Sequence, residues 1–337
     1  MNKKVILGIL ISIISIGLVY WSVKEINLRD AFNALKNIQL SYVLFFVILV
    51  IIMQWLRSYR WGVILQPMEK IDQFSLFSVT CVGFLAIAAI PARIGELARP
   101  YLISKKSSIK MSSALGTILI ERVLDFFSVL TIAVVVLFHI DNVPPWMIVS
   151  SILLFSLALV ILCCILGLIW RREKSIKIIN IILGKFPGKF AHKIDELIHH
   201  FIDGFQVITN IKLLLYLFFL SALIWLVDVL AIYMLLVAFG FNLPTIASFV
   251  VMIFLIAGIA IPAAPGYVGT WDLACVRALV DVCGLAKADA LSFAVVYHFL
   301  SMAIVVVLGF IFLPFNKFSI SDMKSQLNYK KVDESLK

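Results

Sequence analysis

The sequence predicts an all-α polytopic membrane protein with six full spans, two re-entrant hairpins and an inverted repeat. If both hairpins cross the membrane, the count becomes eight spans. Three observations lead there. Of 337 residues, 63% are hydrophobic and 14% charged, against roughly 25% charged in soluble domains. Several nearly uncharged stretches approach the roughly 20 residues a helix needs to cross a bilayer. Two further apolar stretches are broken midway by proline and glycine, about 170 residues apart. A chain this apolar excludes a soluble enzyme, a nucleic-acid binder and a secreted disulfide scaffold.

The elements follow in order. Residues 1–40 hold an anchor span over 5–21 and an outer connector; Tyr20-Trp21 closes the span without a small-residue cleavage site, so an uncleaved anchor is expected. Residues 41–138 make the first repeat unit: a span over 41–65, a broken stretch over 74–98 and a span over 113–138. Residues 139–212 contain a fourth span, 146–170, and the sizeable loop 171–212. In that loop Phe190, Ile194, Leu197, Ile198, Phe201, Ile202 and Phe205 recur on one helical face, the pattern of an amphipathic helix lying in the inner interface. His192, His199 and His200 are read as its wet polar face rather than a metal cluster. Residues 213–314 make the second unit: a span over 213–239, a broken stretch over 246–283 and a span over 290–314. Residues 315–337 form a tail. The five cysteines make no metal-spaced or redox motif, and no cofactor or metal is expected.

Charge sets the orientation. With the N-terminus inside, 22 of the 29 Lys and Arg fall on the inner side and 4 outside, while Arg93, Arg122 and Arg277 lie at membrane depth. This asymmetry predicts that both termini are cytoplasmic in a cell (inner) membrane. The net charge of +10 then reports topology and contact with anionic lipid, not nucleic acid.

The two units echo each other. Trp55-Leu56 matches Trp225-Leu226, and Ala89-Ile90-Pro91-Ala92 matches Ala260-Ile261-Pro262-Ala263. Each proline is followed four residues later by a glycine, Gly95 or Gly266. Ala114-Leu115 with Leu124 finds Ala290-Leu291 with Leu300. The first hairpin enters from the cytoplasm and the second from outside, the plan of transporters whose sites lie where broken helices meet.

Ionisable side chains at membrane depth are costly and mark sites. In the first break Arg93, Glu96 and Arg99 are spaced i, i+3, i+6 behind Pro91. A helix opening there would combine free N–H groups with guanidinium forks suited to a phosphate or carboxylate. Arg57 and Arg60 guard the inner end of their span. The next span carries Glu121, Arg122 and Asp125, with Arg122 expected to pair with one of the two carboxylates. In the second break Pro262, Pro265, Gly266 and Gly269 interrupt the helix before Asp272, and Asp228 and His298 occupy the flanking spans.

These motifs resemble the flippase-like family named after the transmembrane region of lysylphosphatidylglycerol synthases. The resemblance runs from about residue 40 to 314. It rests on Arg57/Arg60/Trp61, on Pro91/Arg93/Gly95/Glu96/Arg99, on Glu121/Arg122/Asp125, and on Pro262/Pro265/Gly266/Gly269 with Asp272. Asp272 stands where glutamate is usual in that pattern, and His298 where arginine is common. The resemblance implies movement of a lipid, or of a polyprenyl-phosphate-linked headgroup, between leaflets.

The reading from sequence is a membrane-embedded transporter, not an enzyme, with no catalytic residues. Its partner is an anionic lipid or lipid-linked sugar. Arg57, Arg60, Arg93 and Arg99 would bind the phosphate, while Glu96, Glu121, Asp125 and Asp272 would act as partners or proton carriers; Arg122 and His298 complete the expected substrate-binding set. A membrane-embedded glycosyltransferase or lipid-modifying enzyme is the alternative, and homo-oligomerisation is left open.

Overall fold

The computed structural model describes residues 38–89, 94–137, 156, 160, 210–260 and 265–316. The expected span over 5–21, that over 146–170 apart from residues 156 and 160, the amphipathic loop, and Pro91, Arg93 and Pro262 lie outside these residues. The described residues contain eight α-helices and no strand.

Helix α1 (Leu40–Leu65) stops at Gln66, whose N–H reaches the Gly62 carbonyl; Pro67 then cannot continue the ladder. Helix α2 (Gln73–Ala89) starts where Asp72 accepts the Ser75 N–H at 2.8 Å, filling one of the donors a helix start leaves open. A 3-10 turn (Ile94–Leu97) leads into α3 (Ala98–Lys106). Helix α4 spans Met111–Leu137. Helix α5 (Ile211–Ala238) is capped by Asn210, which accepts from the Lys212 and Leu213 N–H groups. Helix α6 (Ile246–Ala260) is followed by a 3-10 turn (Pro265–Tyr267), α7 (Thr270–Arg277) and a π turn (Ala278–Val282). Helix α8 (Lys287–Phe312) ends in a further 3-10 turn (Leu313–Asn316).

Three of these helices, α1, α5 and α8 with its 3-10 extension, are long and apolar enough to cross a membrane. Helix α4 is equally long at 27 residues but carries Glu121, Arg122 and Asp125 along its middle. With 17 and 15 residues, α2 and α6 reach only about 26 and 22 Å at 1.5 Å per residue, short of a hydrocarbon core of about 30 Å. Exposed Leu44, Phe45, Leu215, Phe219, Val307 and Phe310 belong against lipid tails, since large apolar side chains in such numbers have no favourable place in water.

Helices α1 and α5 make the broadest contact in the fold and run antiparallel. The Gln39 N–H bonds the Ala238 carbonyl at 2.9 Å at one end, and the Tyr59 and Tyr216 hydroxyls meet at 3.1 Å toward the other. Phe46, Val50 and Met53 interlock there with Ile224, Ile232 and Leu235. Helices α2 and α8 are also antiparallel. Asn316 donates to Ser78 at 2.6 Å, while Gly309 presses on Leu85 so closely that an added Cβ would lie 2.4 Å from it. Helix α4 touches α6 and α5, so each half of the chain supplies walls to the other.

Candidate functional site

The charged residues of α4 organise the inner part of the fold. Glu121, only 1% exposed, accepts a bond from Arg99 Nη1 at 2.7 Å and lies 3.5 Å from Arg60 Nη2. Asp125 accepts two bonds from Arg60, at 2.5 and 3.2 Å, and Arg60 Nη1 also donates to Ser221 on α5 at 2.7 Å. The Arg99 guanidinium stacks 4.2 Å from the Trp61 ring, and Trp61 donates its own N–H to Thr117 at 3.0 Å. This network joins α1, α3, α4 and α5. Arg99 reaches it because residue 83 is glycine: a Cβ there would lie 2.2 Å from Arg99 Cγ.

Sequence reasoning assigned Arg60 and Arg99 to an anion. In the structure both guanidiniums have carboxylate partners, although Arg60 Nε and Arg99 Nε and Nη2 are buried with no hydrogen-bond partner among the described residues. Arg122 is half exposed and lies 3.9 Å from Asp125, so the expected pairing with Asp125 is loose and Glu121 pairs elsewhere. Arg93 lies outside the described residues.

Next to this network is a cavity of about 610 Å³. Both halves of the chain line it, through α1, α2, the turn before α3, α4, α5, α6, the turn before α7, α7 and α8. Its charged side chains are Arg57, Glu96, Arg122, Asp125 and Asp228, set in a largely apolar and aromatic wall. Arg57 lies 5.3 Å from the Phe84 centroid and 5.9 Å from that of Trp225. Among the described residues it makes no salt bridge. Two further lining residues carry buried polar atoms without partners among the described residues, Gln54 Oε1 and Trp225 Nε1. Gln54, Trp225 and Asp228 were not singled out as binding residues from sequence. Asp228 did stand out as a carboxylate within a span, but nothing local tied it to residues more than 100 positions away.

The second break is organised by one imidazole. His298 on α8 places Nδ1 2.9 Å from Asp272 Oδ1 and Nε2 2.7 Å from the Gly266 carbonyl. Asp272 Oδ2 accepts the Gly269 N–H at 3.0 Å, and the Trp271 ring stacks on His298 at 4.6 Å. The turn needs its glycines, since Gly266 has φ 71° and Gly269 φ 90°; Tyr267 shares the left-handed region at φ 61°, where non-glycine residues are uncommon. Asp272 and His298 thus lie together, and Tyr267 and Trp271 carry the turn into the cavity wall. Among the described residues no group of three or more His, Cys, Asp or Glu is placed to hold a metal.

An all-helical body with lipid-facing spans and charged side chains gathered in its interior defines a multi-pass membrane protein. The chain belongs to the family described as the lysylphosphatidylglycerol synthase TM region, which matches residues 5–309. Two UPF0104 membrane proteins of Methanothermobacter thermautotrophicus are similar to it. One is 25% identical over 86% of this chain and 90% of its own length; the other is 29% identical over 76% and 78%. A glycosyltransferase, AglD of Haloferax volcanii, is 19% identical over 90% of this chain but only 53% of its own length. No solved structure matches the chain.

Proposed function

We propose that this protein is a transporter that moves an anionic lipid, or a polyprenyl-phosphate-linked intermediate, between the leaflets of a cell membrane. The observation that carries the reading is Arg57. It is a guanidinium without a salt bridge among the described residues, in an apolar and aromatic cavity that both halves of the chain line. Such a wall accommodates acyl or prenyl chain, and a planar cation there recognises a phosphate. Arg60 and Arg99 are buried behind the cavity rather than lining it, where Arg60 holds Asp125 in the wall and Arg99 holds Glu121.

The proposed topology has six spans, two hairpins, an inverted repeat and both termini cytoplasmic. Its support is the antiparallel run of α1 against α5, the corresponding spans of the two units, and the packing of each unit's first hairpin leg on the other's last span, α2 on α8 and α6 on α4. The charge asymmetry supports the orientation. The rival reading, a membrane-embedded glycosyltransferase or lipid-modifying enzyme, is favoured only by the partial likeness to AglD.

The test uses proteoliposomes containing fluorescent phosphatidylglycerol or polyprenyl phosphate, with dithionite quenching to report the leaflet. Arg57→Ala should slow transfer about tenfold or more, since a charge-assisted hydrogen bond contributes about 1.5–3 kcal/mol. Arg57→Lys should restore it only in part. Wild-type protein that moves neither probe faster than protein-free vesicles sinks the transporter reading. Arg57→Ala at wild-type speed and equal incorporation sinks the site. A change in lipid mass in these vesicles would favour the rival.

A further inference from the structure

We propose that Asp272 and His298 form a proton-binding site that latches the second hairpin turn onto α8. As a coupling device it rests on the transporter reading above; as a proton site it stands by itself.

The donors and acceptors around the His298 ring balance only if the site holds an extra proton. The imidazole touches two acceptor groups at once, the Gly266 carbonyl through Nε2 at 2.7 Å and Asp272 Oδ1 through Nδ1 at 2.9 Å. A carbonyl oxygen can only accept, so Nε2 carries a hydrogen. Across the Nδ1–Oδ1 contact there must then be a second proton, on the ring as imidazolium or on the carboxyl beside a neutral ring. A neutral imidazole next to an ionised carboxylate has one hydrogen too few. Either neutral tautomer leaves two lone pairs facing each other at 2.9 Å or less. The arrangement therefore contains one proton more than the separated neutral histidine and aspartate anion. The step involved is simply uptake of that proton from water and its return.

The surroundings turn this count into a latch. Gly266 and Tyr267 both stand in the left-handed region, at φ 71° and 61°, and the His298 bond pins the Gly266 carbonyl. The other Asp272 oxygen pins the Gly269 N–H at 3.0 Å. Trp271 stacks on the ring and, with Tyr267 and Tyr297, lines the cavity. When the proton leaves, the ring must give up either the carboxylate or the Gly266 carbonyl, and the cavity wall at Tyr267 loses one of its ties. Among the described residues, the other titratable or charged groups nearby are few. Helix α7 brings Cys275 and Arg277, the latter 3.3 Å from Asp281 of the adjoining π turn, and α8 brings Tyr297. Helix α2 brings only Cys81, and α6 brings none. Arg57, Glu96, Arg122, Asp125 and Asp228 line the same cavity. None of them bonds the imidazole.

Asp272→Asn separates the proton from the latch. The amide oxygen still accepts the Gly269 N–H, and the amide nitrogen donates to Nδ1 of a neutral ring, so every bond is kept without the extra proton. The experiment is ring nitrogen NMR on the full chain in lipid nanodiscs with ¹⁵N-histidine and carboxyl-¹³C-aspartate, His298→Gln assigning the resonance among the five histidines. Wild-type protein at neutral pH should show either an imidazolium or a protonated Asp272 carboxyl. Asp272→Asn should show a neutral ring with hydrogen on Nε2 alone. A neutral wild-type ring beside an ionised Asp272 overturns the proposal, whether or not the asparagine variant accumulates. The latch is read by hydrogen exchange over 265–273, corrected for intrinsic rates. Wild type should lose protection as the NMR signal records loss of the proton, and Asp272→Asn should not; parallel behaviour overturns the latch. Absence of lipid transfer would leave a protonated pair standing, and a proton-free pair in a protein that moves lipid would remove this site alone.

Discussion

Replacing Glu121 with glutamine tests whether the buried charge network holds the helices together. The carboxylate is 1% exposed and the arginine it binds, Arg99, is 3% exposed, so solvent screens neither. The change removes the negative charge 2.7 Å from Arg99 Nη1 and 3.5 Å from Arg60 Nη2. Arg60 keeps both of its bonds to Asp125, whereas Arg99 retains only its stacking on Trp61 and a neutral amide. Breaking a buried ion pair from one side costs about 3–5 kcal/mol. Because the amide oxygen still accepts a hydrogen bond, the low end applies, about 3 kcal/mol. Reversible unfolding by steric trapping in bicelles measures it. The double variant Glu121→Gln/Arg99→Met removes the stranded cation and should recover at least 1 kcal/mol of coupling in a double-mutant cycle. A loss below about 1 kcal/mol for Glu121→Gln, well under the cost of an uncompensated buried charge, together with additive effects, would show that the network contributes nothing to stability.

The remaining predictions are smaller. Gly95→Ala should cost about 1–3 kcal/mol, because its Cβ would lie 2.3 Å from the Ala86 carbonyl oxygen and push the 3-10 turn off α2; an unfolding midpoint equal to wild type would refute that close approach. In Gly266→Ala the added Cβ would make only an ordinary contact, with Met302 Sδ at 3.9 Å, so its cost of about 1–2 kcal/mol comes from the positive φ alone. Asparagine, which tolerates that region, should therefore be better than alanine there, and an asparagine variant no more stable than the alanine one contradicts the assignment. At the start of α2, Asp72→Ala should lose about 1 kcal/mol of cap stability. The Ser75 backbone N–H holds the Asp72 carboxyl below its ordinary value. The cap is therefore complete at neutral pH and weakens as the pH falls through the carboxylate range, so unfolding midpoints of wild type and Asp72→Ala should converge in acid.

Residue type along the chain was enough to read the membrane class, the all-helical character of the described residues and three of the spans. Apolar runs of span length have one stable form in lipid, the helix that satisfies its own backbone. Expected spans over 41–65 and 213–239 correspond to α1 (Leu40–Leu65) and α5 (Ile211–Ala238), within two residues at each end. Gly266 and Gly269, expected to interrupt the second stretch, do so through positive φ, while Gly95 of the first break lies against Ala86. The pairing of charges was not legible. Arg60 and Arg99 read as free cations because their partners, Glu121 and Asp125, stand 22 to 65 residues away, and helical spacing relates only side chains a turn or two apart. Arg122, by contrast, was expected in a pair that the structure leaves loose at 3.9 Å. His298 and Asp272 are 26 residues apart and were separate candidates until the fold set them 2.9 Å from each other. Composition and periodicity decide what each segment must bury; which arginine is neutralised and which faces the cavity depends on how antiparallel helices distant in the chain are brought side by side, and only the packed tertiary structure sets that.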